Sequence, residues 1–500
     1  MEKEKKSKST SSPFQKFAWS FGGVAENLSM NVLPTLVYQI FQIGMGISPF
    51  VIGLAMSASK FIEGFSDTYF GSLSDNTRSK YGRRRPWIII GSILVSIVFI
   101  AIWLTPRELD DIVFLGFSIS GGFLQATYFV GIVSVFYIVL AIWQMPFVAL
   151  GLEMETDYAQ RTKIQTYKQI FSYLVGIIIG SLYLITQMRD LWGGDEVVGA
   201  RYIGAIIGGI ILISGIFPGL FCREHPNAKV QKQKKVPFWP SLKETFKSKP
   251  FILVMSSLFF VFFGLFFMLP LLGYISMYHV CTDGIHVVLD WSWADPFTFT
   301  MQEKFLTHKE LAGYLGFYTA IFQPTTQILA VIVVNRVADM FDKRTILIAG
   351  ASVTIIGYIS SWFLFTPANY ILGILPPVII NVGLAAAWPL IGAFTADVCD
   401  YDELYTGARR EGIYSAVSGF LIKLAIAVVT IIASGVLMLV GIDGANPIIT
   451  VESLMNVRTL YVVVPTLAMF LTIFFIWKYP LTKQRVNEIQ AELAIKRESY

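Results

Sequence analysis

Two carboxylates lie four residues apart inside an apolar stretch of the chain, at Glu63 and Asp67. Helical spacing puts them on one face, with the Ser66 hydroxyl beside them. Ionised carboxylates are costly at membrane depth, and they persist where they face a bundle interior or an aqueous cavity, usually to bind an ion or relay a proton. We therefore predict that these three residues form a cation-coupling site. The alternative is that both acids are simply solvated at the membrane interface.

A lysine forms the second unusual feature of the apolar segments. Lys423 lies about three turns into its segment, too deep to reach the membrane surface easily. It needs a wet cavity or an acidic partner, and Glu63 and Asp67 are natural candidates. A cation or proton that competes with the ammonium for these carboxylates would link ion binding to substrate affinity. A purely structural ion pair is the alternative.

Composition places the chain in the membrane. It has 500 residues, of which 54% are hydrophobic and 15% are charged, and its mean hydropathy is +0.61. Lipid can cover this much apolar surface, whereas a soluble fold could not bury it. The net charge of +5 does not indicate nucleic-acid binding, because the basic residues are confined to short segments between apolar runs. The cysteines and histidines form no convincing metal or cofactor site beyond the coupling ion.

Twelve apolar runs are long enough to span a bilayer, which predicts an all-α polytopic protein with two six-helix halves. The runs lie near 17–43, 49–73, 87–105, 128–151, 165–187, 200–221, 251–278, 311–335, 345–365, 371–395, 412–440 and 458–478. The predicted domains are an N-terminal tail at 1–16, a first half at 17–221, a central loop at 222–250, a second half at 251–478 and a C-terminal tail at 479–500.

Basic residues are concentrated in both tails, in the central loop and in the loop after the second span. The positive-inside rule therefore predicts that both termini are cytoplasmic, in a multi-pass protein of the cytoplasmic (inner) membrane. No cleavable signal peptide is visible, because the first sixteen residues are polar. A monomer is the default expectation.

The two halves share a sequence feature at equivalent positions. An acidic residue followed by a basic turn comes after the second span and again after the eighth, which is the repeat logic of transporters whose halves rock about a central site. Ion pairs that form in one state and break in the other would bias such an equilibrium. Solvated charge is the alternative. The predicted gating residues are Asp75, Arg78, Arg83, Asp339, Asp400, Asp402, Glu403 and Arg410.

Two segments do not fit a minimal bundle. We expect 108–127 to be an interfacial or re-entrant piece on the outer side, because it is apolar beyond Asp111. The long outer segment 279–308 carries several aromatic residues and could cap a cavity or anchor the interface.

In this order and spacing, the motifs at 63–67, 75–87 and 400–403 resemble the glycoside–pentoside–hexuronide:cation symporters, a branch of the major facilitator superfamily. The resemblance implies twelve helices and cation-coupled uptake. The family's coupling carboxylates fall on Glu63 and Asp67, its helix-11 lysine falls on Lys423, and a cavity tryptophan falls on Trp388.

Other family positions depart from the pattern. The sugar-binding aspartates of helices 1 and 4 fall on Asn27 and Gln144, and the helix-5 arginine falls on Gln169. The resemblance therefore implies that the family's charged sugar-binding set is absent, although the amides could still bind hydroxyls. A cation-site threonine becomes Ala141, which removes one expected oxygen.

These observations predict a secondary active symporter for a sugar or glycoside, with a hexuronide left open. The expected partners are a small saccharide and the lipid bilayer, not nucleic acid. The coupling ion is Na⁺ or H⁺, because buried carboxylates also carry protons readily. The alternatives are a symporter for a non-sugar amphiphile such as a lysolipid, a polytopic membrane enzyme, and a non-transporting receptor or scramblase.

Overall fold

The computed structural model of the chain describes residues 11–114, 117–154, 158–223, 247–292, 295–338, 340–406, 411–442 and 450–498. The chain divides into two compact units. The first comprises residues 1–232 with 443–447, and the second comprises 233–442 with 448–500. The division at 232/233 falls inside the segment that the sequence assigns to the central loop.

The first unit is a helical bundle in which α1 packs on α5 and α7, α2 on α4, and α3 on α4 and α7. Ser12 and Gln15 form a capping box at the start of α1, which continues into a π-helical segment, Tyr38–Gly44. Its helices are α1 (Pro13–Val37), α2 (Pro49–Asn76), α3 (Arg85–Trp103), α4 (Gly121–Glu153), α5 (Tyr158–Thr186), α6 (Arg189–Trp192) and α7 (Glu196–Phe221).

The second unit is built the same way, with α8 packed on α13 and α14, and α10 on α11 and α14. A π-helical segment, Ser276–Val280, extends α8, and a 3₁₀ helix, Tyr370–Ile374, precedes α11. Its helices are α8 (Lys249–Ile275), α9 (His308–Ala338), α10 (Lys343–Leu364), α11 (Leu375–Leu384), α12 (Ala387–Thr406), α13 (Glu411–Leu439), α14 (Val451–Trp477) and α15 (Lys483–Glu498).

Within the described residues, nine helical segments are long and apolar enough to cross a membrane. Helices α1, α2 and α12 have 25, 28 and 20 residues but are not among these nine. Two of these three helices, α1 and α2, contain acidic residues that carry the candidate site described below.

The tenth predicted span, 371–395, consists of two helical pieces. The chain turns at 385–386, between α11 and α12. Pro389 is tolerated because it lies in the first turn of α12, where its missing N–H costs no helical hydrogen bond. Just before the break, α11 crosses α10 so closely that a Cβ on Gly383 would lie 2.5 Å from the Gly350 carbonyl oxygen. A glycine is needed for this crossing.

Two β-hairpins interrupt the otherwise all-helical chain. In segment 108–127, β1 (Ile112–Phe114) pairs with β2 (Phe117–Ile119), and α4 begins two residues later. Its interfacial or re-entrant position stays a prediction. In the long outer segment, β3 (Gly284–Ser292) pairs with β4 (Asp295–Leu306) in antiparallel register.

Candidate cation and substrate sites

Glu63, on α2, is almost completely buried, with 2% of its surface exposed. Its Oε2 atom lies 2.7 Å from the Lys60 ammonium, one turn earlier on the same helix. Residues three apart share a helical face, so α2 supplies both members of this ion pair. Sequence reasoning missed Lys60, although this spacing rule could have found it.

The Lys60 ammonium also lies 4.6 Å from the centre of the Tyr137 ring on α4, a cation–π distance. Tyr137 is fully buried, and Ala141, one turn further along α4, is fully buried as well. The ammonium interacts electrostatically with Asp67 in addition to Glu63. We call Lys60, Glu63, Asp67 and Tyr137 the Lys60 cluster.

The other two predicted cation-site residues lie close by on α2. Asp67 and Ser66 are half-buried, and one carboxylate oxygen of Asp67 is inaccessible to solvent. The structure therefore places Glu63, Ser66 and Asp67 on one stretch of helix that packs against α4. The assignment of these residues to cation coupling remains a prediction.

A second ion pair joins α1 and α5. Lys168 binds Glu26, and their side chains are 19% and 14% exposed. The predicted substrate residue Gln144, on α4, contacts Glu26 with 3.4 Å between Nε2 and Oε1. We call Glu26, Gln144 and Lys168 the Glu26 cluster. It is the polar centre of the first unit on these three helices.

Aromatic rings support the Glu26 cluster. The Lys168 ammonium lies 5.6 Å from the ring centres of both Trp19 and Phe147. These two rings stack with centres 5.1 Å apart, and the Trp19 indole N–H donates to the Phe147 carbonyl oxygen at 3.0 Å. Gly151 leaves room for the indole, because a Cβ there would lie 2.0 Å from the Trp19 ring. The platform is therefore fixed by packing and by a hydrogen bond.

The family's charged positions carry amides in this chain, and the structure shows a different acid and base on the same helices. Asn27 donates to the Ser172 carbonyl oxygen at 3.4 Å, and Gln169 is exposed. The acid and the base occur one residue earlier in each case, at Glu26 and Lys168. Their roles in substrate binding, like those of Asn27 and Gln169, are not settled by this geometry.

Helix α4 contacts both clusters. Tyr137 and Gln144 are seven residues apart, which is about two turns and roughly 10 Å along the axis, on nearly the same face. One rigid helix therefore touches Lys60 at one level and Glu26 at another.

In the second unit, the acidic end of α12 is tied to its own neighbours. Asp397 is 4% exposed, and its two oxygens lie 2.7 and 2.8 Å from the Lys343 ammonium at the start of α10. Asp400 accepts a hydrogen bond from Gln490 of α15 at 3.2 Å. Neither of these partners was predicted. The sequence also did not predict α15, whose residues Ile489 and Leu493 are buried.

The remaining predicted residues differ in how far the structure describes them. Asp402, Glu403 and Lys423 are half-buried. Arg78 is exposed and Arg83 is half-buried. Asp339 and Arg410, together with the side chains of Asp75 and Trp388, lie outside the described residues. The proposed gating pairs stay predictions.

One residue of the basic loop after α2 has a structural role. Arg85 donates to the carbonyl oxygens of Gly219 and Leu220, at 2.7 and 2.8 Å, and so caps the end of α7.

The histidines near the second hairpin make structural contacts. His279 contacts the Phe365 carbonyl oxygen at 3.1 Å, and His286 contacts the Thr282 carbonyl oxygen at 2.8 Å. Asp283 accepts from the His308 backbone N–H at 2.6 Å, and this hydrogen bond lowers the pKa of the Asp283 carboxyl. The hydrogen bond between His308 and Asp283 anchors the start of the hairpin segment to α9.

Comparisons with known proteins agree with this architecture. A family model described as "MFS/sugar transport protein" matches residues 18–286 and 310–483. The isoprimeverose transporter of Lactiplantibacillus pentosus is 20% identical, over 94% of this chain and 89% of that protein. The inner membrane symporter YicJ of Escherichia coli is 23% identical, over 96% and 94%. The glucuronide carrier protein homolog of Escherichia coli is 22% identical, over 95% and 94%.

Solved structures share the fold at low identity. A D-xylose–proton symporter superposes with a TM-score of 0.63, at 16% identity, over 93% of this chain and 97% of that one. The inward-open xylose transporter XylE of Escherichia coli gives 0.60, at 15% identity, over 95% and 98%. The all-α polytopic fold and the assignment to transport rather than catalysis are confirmed. The chain belongs to the MFS/sugar transport family and, within the major facilitator superfamily, to the glycoside–pentoside–hexuronide:cation symporters.

Proposed function

We propose that this protein is a secondary active symporter that couples uptake of a sugar or glycoside to Na⁺ or H⁺ by alternating access. The observation that supports this most directly is the Glu26 cluster, an acid, a base and an amide packed against an aromatic platform within a sugar-transport fold. Relatives named for isoprimeverose and glucuronide transport make a saccharide the expected substrate class.

The Glu26 cluster suits a hydroxyl-rich ligand. The Glu26 carboxylate accepts hydrogen bonds, the Lys168 ammonium donates them, and the Gln144 amide does both. The hydroxyl groups of a sugar can replace the contacts among these three side chains without leaving a buried charge unpaired. Asn27 and Gln169 are the other proposed substrate-binding residues of the first unit. Trp388 and Lys423, in the second unit, are proposed from the resemblance to the family, in which the tryptophan would stack on the apolar face of a sugar.

The Lys60 cluster is the proposed coupling site. An ion that binds there changes the charge beside Tyr137, and α4 carries that change two turns along to Gln144 and the substrate. Loading of both sites permits the halves to reorient, which is a coupling free energy between two sites. The gating residues and the orientation with both termini cytoplasmic, in the inner membrane, belong to this proposal, as does a monomeric state.

Uptake into proteoliposomes tests the proposal. A panel of radiolabelled glycosides and hexuronides is offered with an imposed Na⁺ gradient, an imposed pH gradient, or neither. One coupled charge at 100 mV supports roughly fiftyfold accumulation. Gradient-dependent accumulation of a saccharide supports the proposal. Chemical turnover without accumulation, or uptake of lysolipids alone, contradicts it.

A further inference from the structure

The Lys60 cluster already contains a cation of its own. The Lys60 ammonium lies 2.7 Å from the Glu63 carboxylate and over the Tyr137 ring, so it is held from two sides. Its side chain is 14% exposed. Both neighbours belong to the first unit, on α2 and α4. The lysine therefore occupies the position beside Glu63 that an incoming ion would take.

The charges that face this position are few among the described residues. Helix α2 supplies Lys60, Glu63 and Asp67, and α4 supplies the titratable Tyr137. The π-helical segment Tyr38–Gly44, which also packs on α2, contains no acidic or basic residue.

A proton and an alkali cation place different demands on this arrangement. An alkali cation needs a shell of several oxygen atoms and space beside the carboxylates. The ammonium fills space beside Glu63, and the face of the Tyr137 ring on α4 lies on its other side. One turn further along α4, Ala141 has only a methyl group and offers no side-chain oxygen. A proton needs one carboxylate oxygen and no shell, and it can loosen the ion pair by neutralising the acid.

We infer that Lys60 acts as a resident cation that excludes Na⁺ from the coupling site and makes this symporter proton-coupled. The inference rests on the proposed function, since it names the coupling ion of that same site. Lys60 is a specificity-determining residue in this scheme. Replacing it with a neutral residue vacates the position beside Glu63 and removes one positive charge from the site, which opens the site to Na⁺.

Ion titration without a sugar tests the inference on the purified full-length chain. Thermal unfolding is measured in NaCl and in choline chloride at equal ionic strength, for the wild type, Lys60→Gln and Lys60→Arg. We expect Na⁺ to raise the melting temperature of Lys60→Gln by ~2 °C or more, as ligand linkage predicts for a specifically bound ion. The wild type and Lys60→Arg should not respond.

A matched control removes a lysine that pairs with a buried acid in the second unit. Lys343→Gln separates an ammonium from Asp397 in the second unit and should gain no Na⁺ response. Charge movements after a Na⁺ jump or a pH jump on reconstituted membranes provide the second readout. The wild type should respond only to the pH jump, and Lys60→Gln to both.

The outcomes separate the inference from the proposed function. A Na⁺ response in the wild type overturns the inference, and this measurement does not depend on whether any variant folds. A folded Lys60→Gln that ignores Na⁺ overturns it as well. In either case, gradient-driven saccharide uptake by the wild type would leave the symporter proposal standing, whereas loss of uptake under every gradient would overturn that proposal instead.

Discussion

Substrate binding by the Glu26 cluster can be tested by removing its charges singly and together. Glu26 and Lys168 are mostly buried, with side chains 14% and 19% exposed. A hydrogen bond to a charged group contributes about 1.5–3 kcal/mol. Because about 1.4 kcal/mol corresponds to a factor of ten, Glu26→Ala or Lys168→Ala should raise the half-saturation concentration for the saccharide by roughly 10- to 100-fold.

The assay is counterflow exchange of a radiolabelled saccharide in proteoliposomes, which reports binding and reorientation without an ion gradient. The control is a second ion pair in the same unit, Arg107 with Asp195, whose side chains are 48% and 35% exposed. Exposed pairs contribute at most about 1 kcal/mol. Arg107→Ala should therefore leave the half-saturation concentration within about threefold of the wild type.

The double variant Glu26→Ala/Lys168→Ala distinguishes a role of this ion pair in substrate binding from a purely structural role. If the pair is only structural, removing both charges eliminates the buried unpaired charge that each single variant leaves behind. Transport would then recover, with a large coupling energy between the two sites. If both residues contact the substrate, the double variant is no better than the worse single variant. A double variant with wild-type half-saturation would refute the assignment of this cluster to substrate.

Three further changes have defined expectations. Asp67→Asn should abolish gradient-driven saccharide accumulation while leaving some counterflow exchange, and undiminished uphill uptake would show that Asp67 does not carry the coupling ion. Gly383→Ala forces a Cβ against the backbone of α10 and should lower the free energy of unfolding by about 1–3 kcal/mol, whereas Gly392→Ala, with no atom within 4 Å of its Cβ, should not; equal melting temperatures would contradict this. Burial raises the pKa of Asp195, but hydrogen bonds from Arg107 and from two backbone N–H groups outweigh it, so the pKa is lowered. The stabilisation relative to Asp195→Asn should therefore be present above about pH 4, the pKa expected in the unfolded chain, and be lost as pH falls through the folded pKa; a difference in unfolding that does not shrink as the pH is lowered below about 4 would be inconsistent with this.

The sequence predicts those features that follow from composition and helical periodicity. Apolar runs are visible without any tertiary information, and the four-residue spacing of Glu63 and Asp67 marks a single face. The break in the tenth span was not visible, because it depends on the close crossing of α10 and α11 at Gly383. The apolar residues continue on both sides of such a break, so their pattern does not reveal it.

The one-residue displacement of the Glu26 cluster has a different cause. Successive residues on a helix point about 100° apart, so Glu26 and Asn27 face different neighbours. Alignment to a family pattern fixes the position of a motif along the chain but not the rotation of its helix. Only the packing of α1 against α5 decides that Glu26 meets Lys168. The sequence does show a lysine next to Gln169 near the start of a span. Its pairing with Glu26 could not be predicted, because it depends on that packing.

The charges of the two clusters give the transport cycle an electrical signature. The Glu26 and Lys168 charges cancel. A neutral glycoside that binds the cancelled pair adds no charge, so one coupling ion makes the translocated cargo positive and the membrane potential drives it inward. A hexuronide brings its own carboxylate and makes the same cargo electroneutral. It must also draw Lys168 away from Glu26, which leaves an acid without its base in a mostly buried site. Under the proposed function, binding at the Glu26 cluster would favour a neutral saccharide, and a current that accompanies uptake distinguishes the two substrate classes.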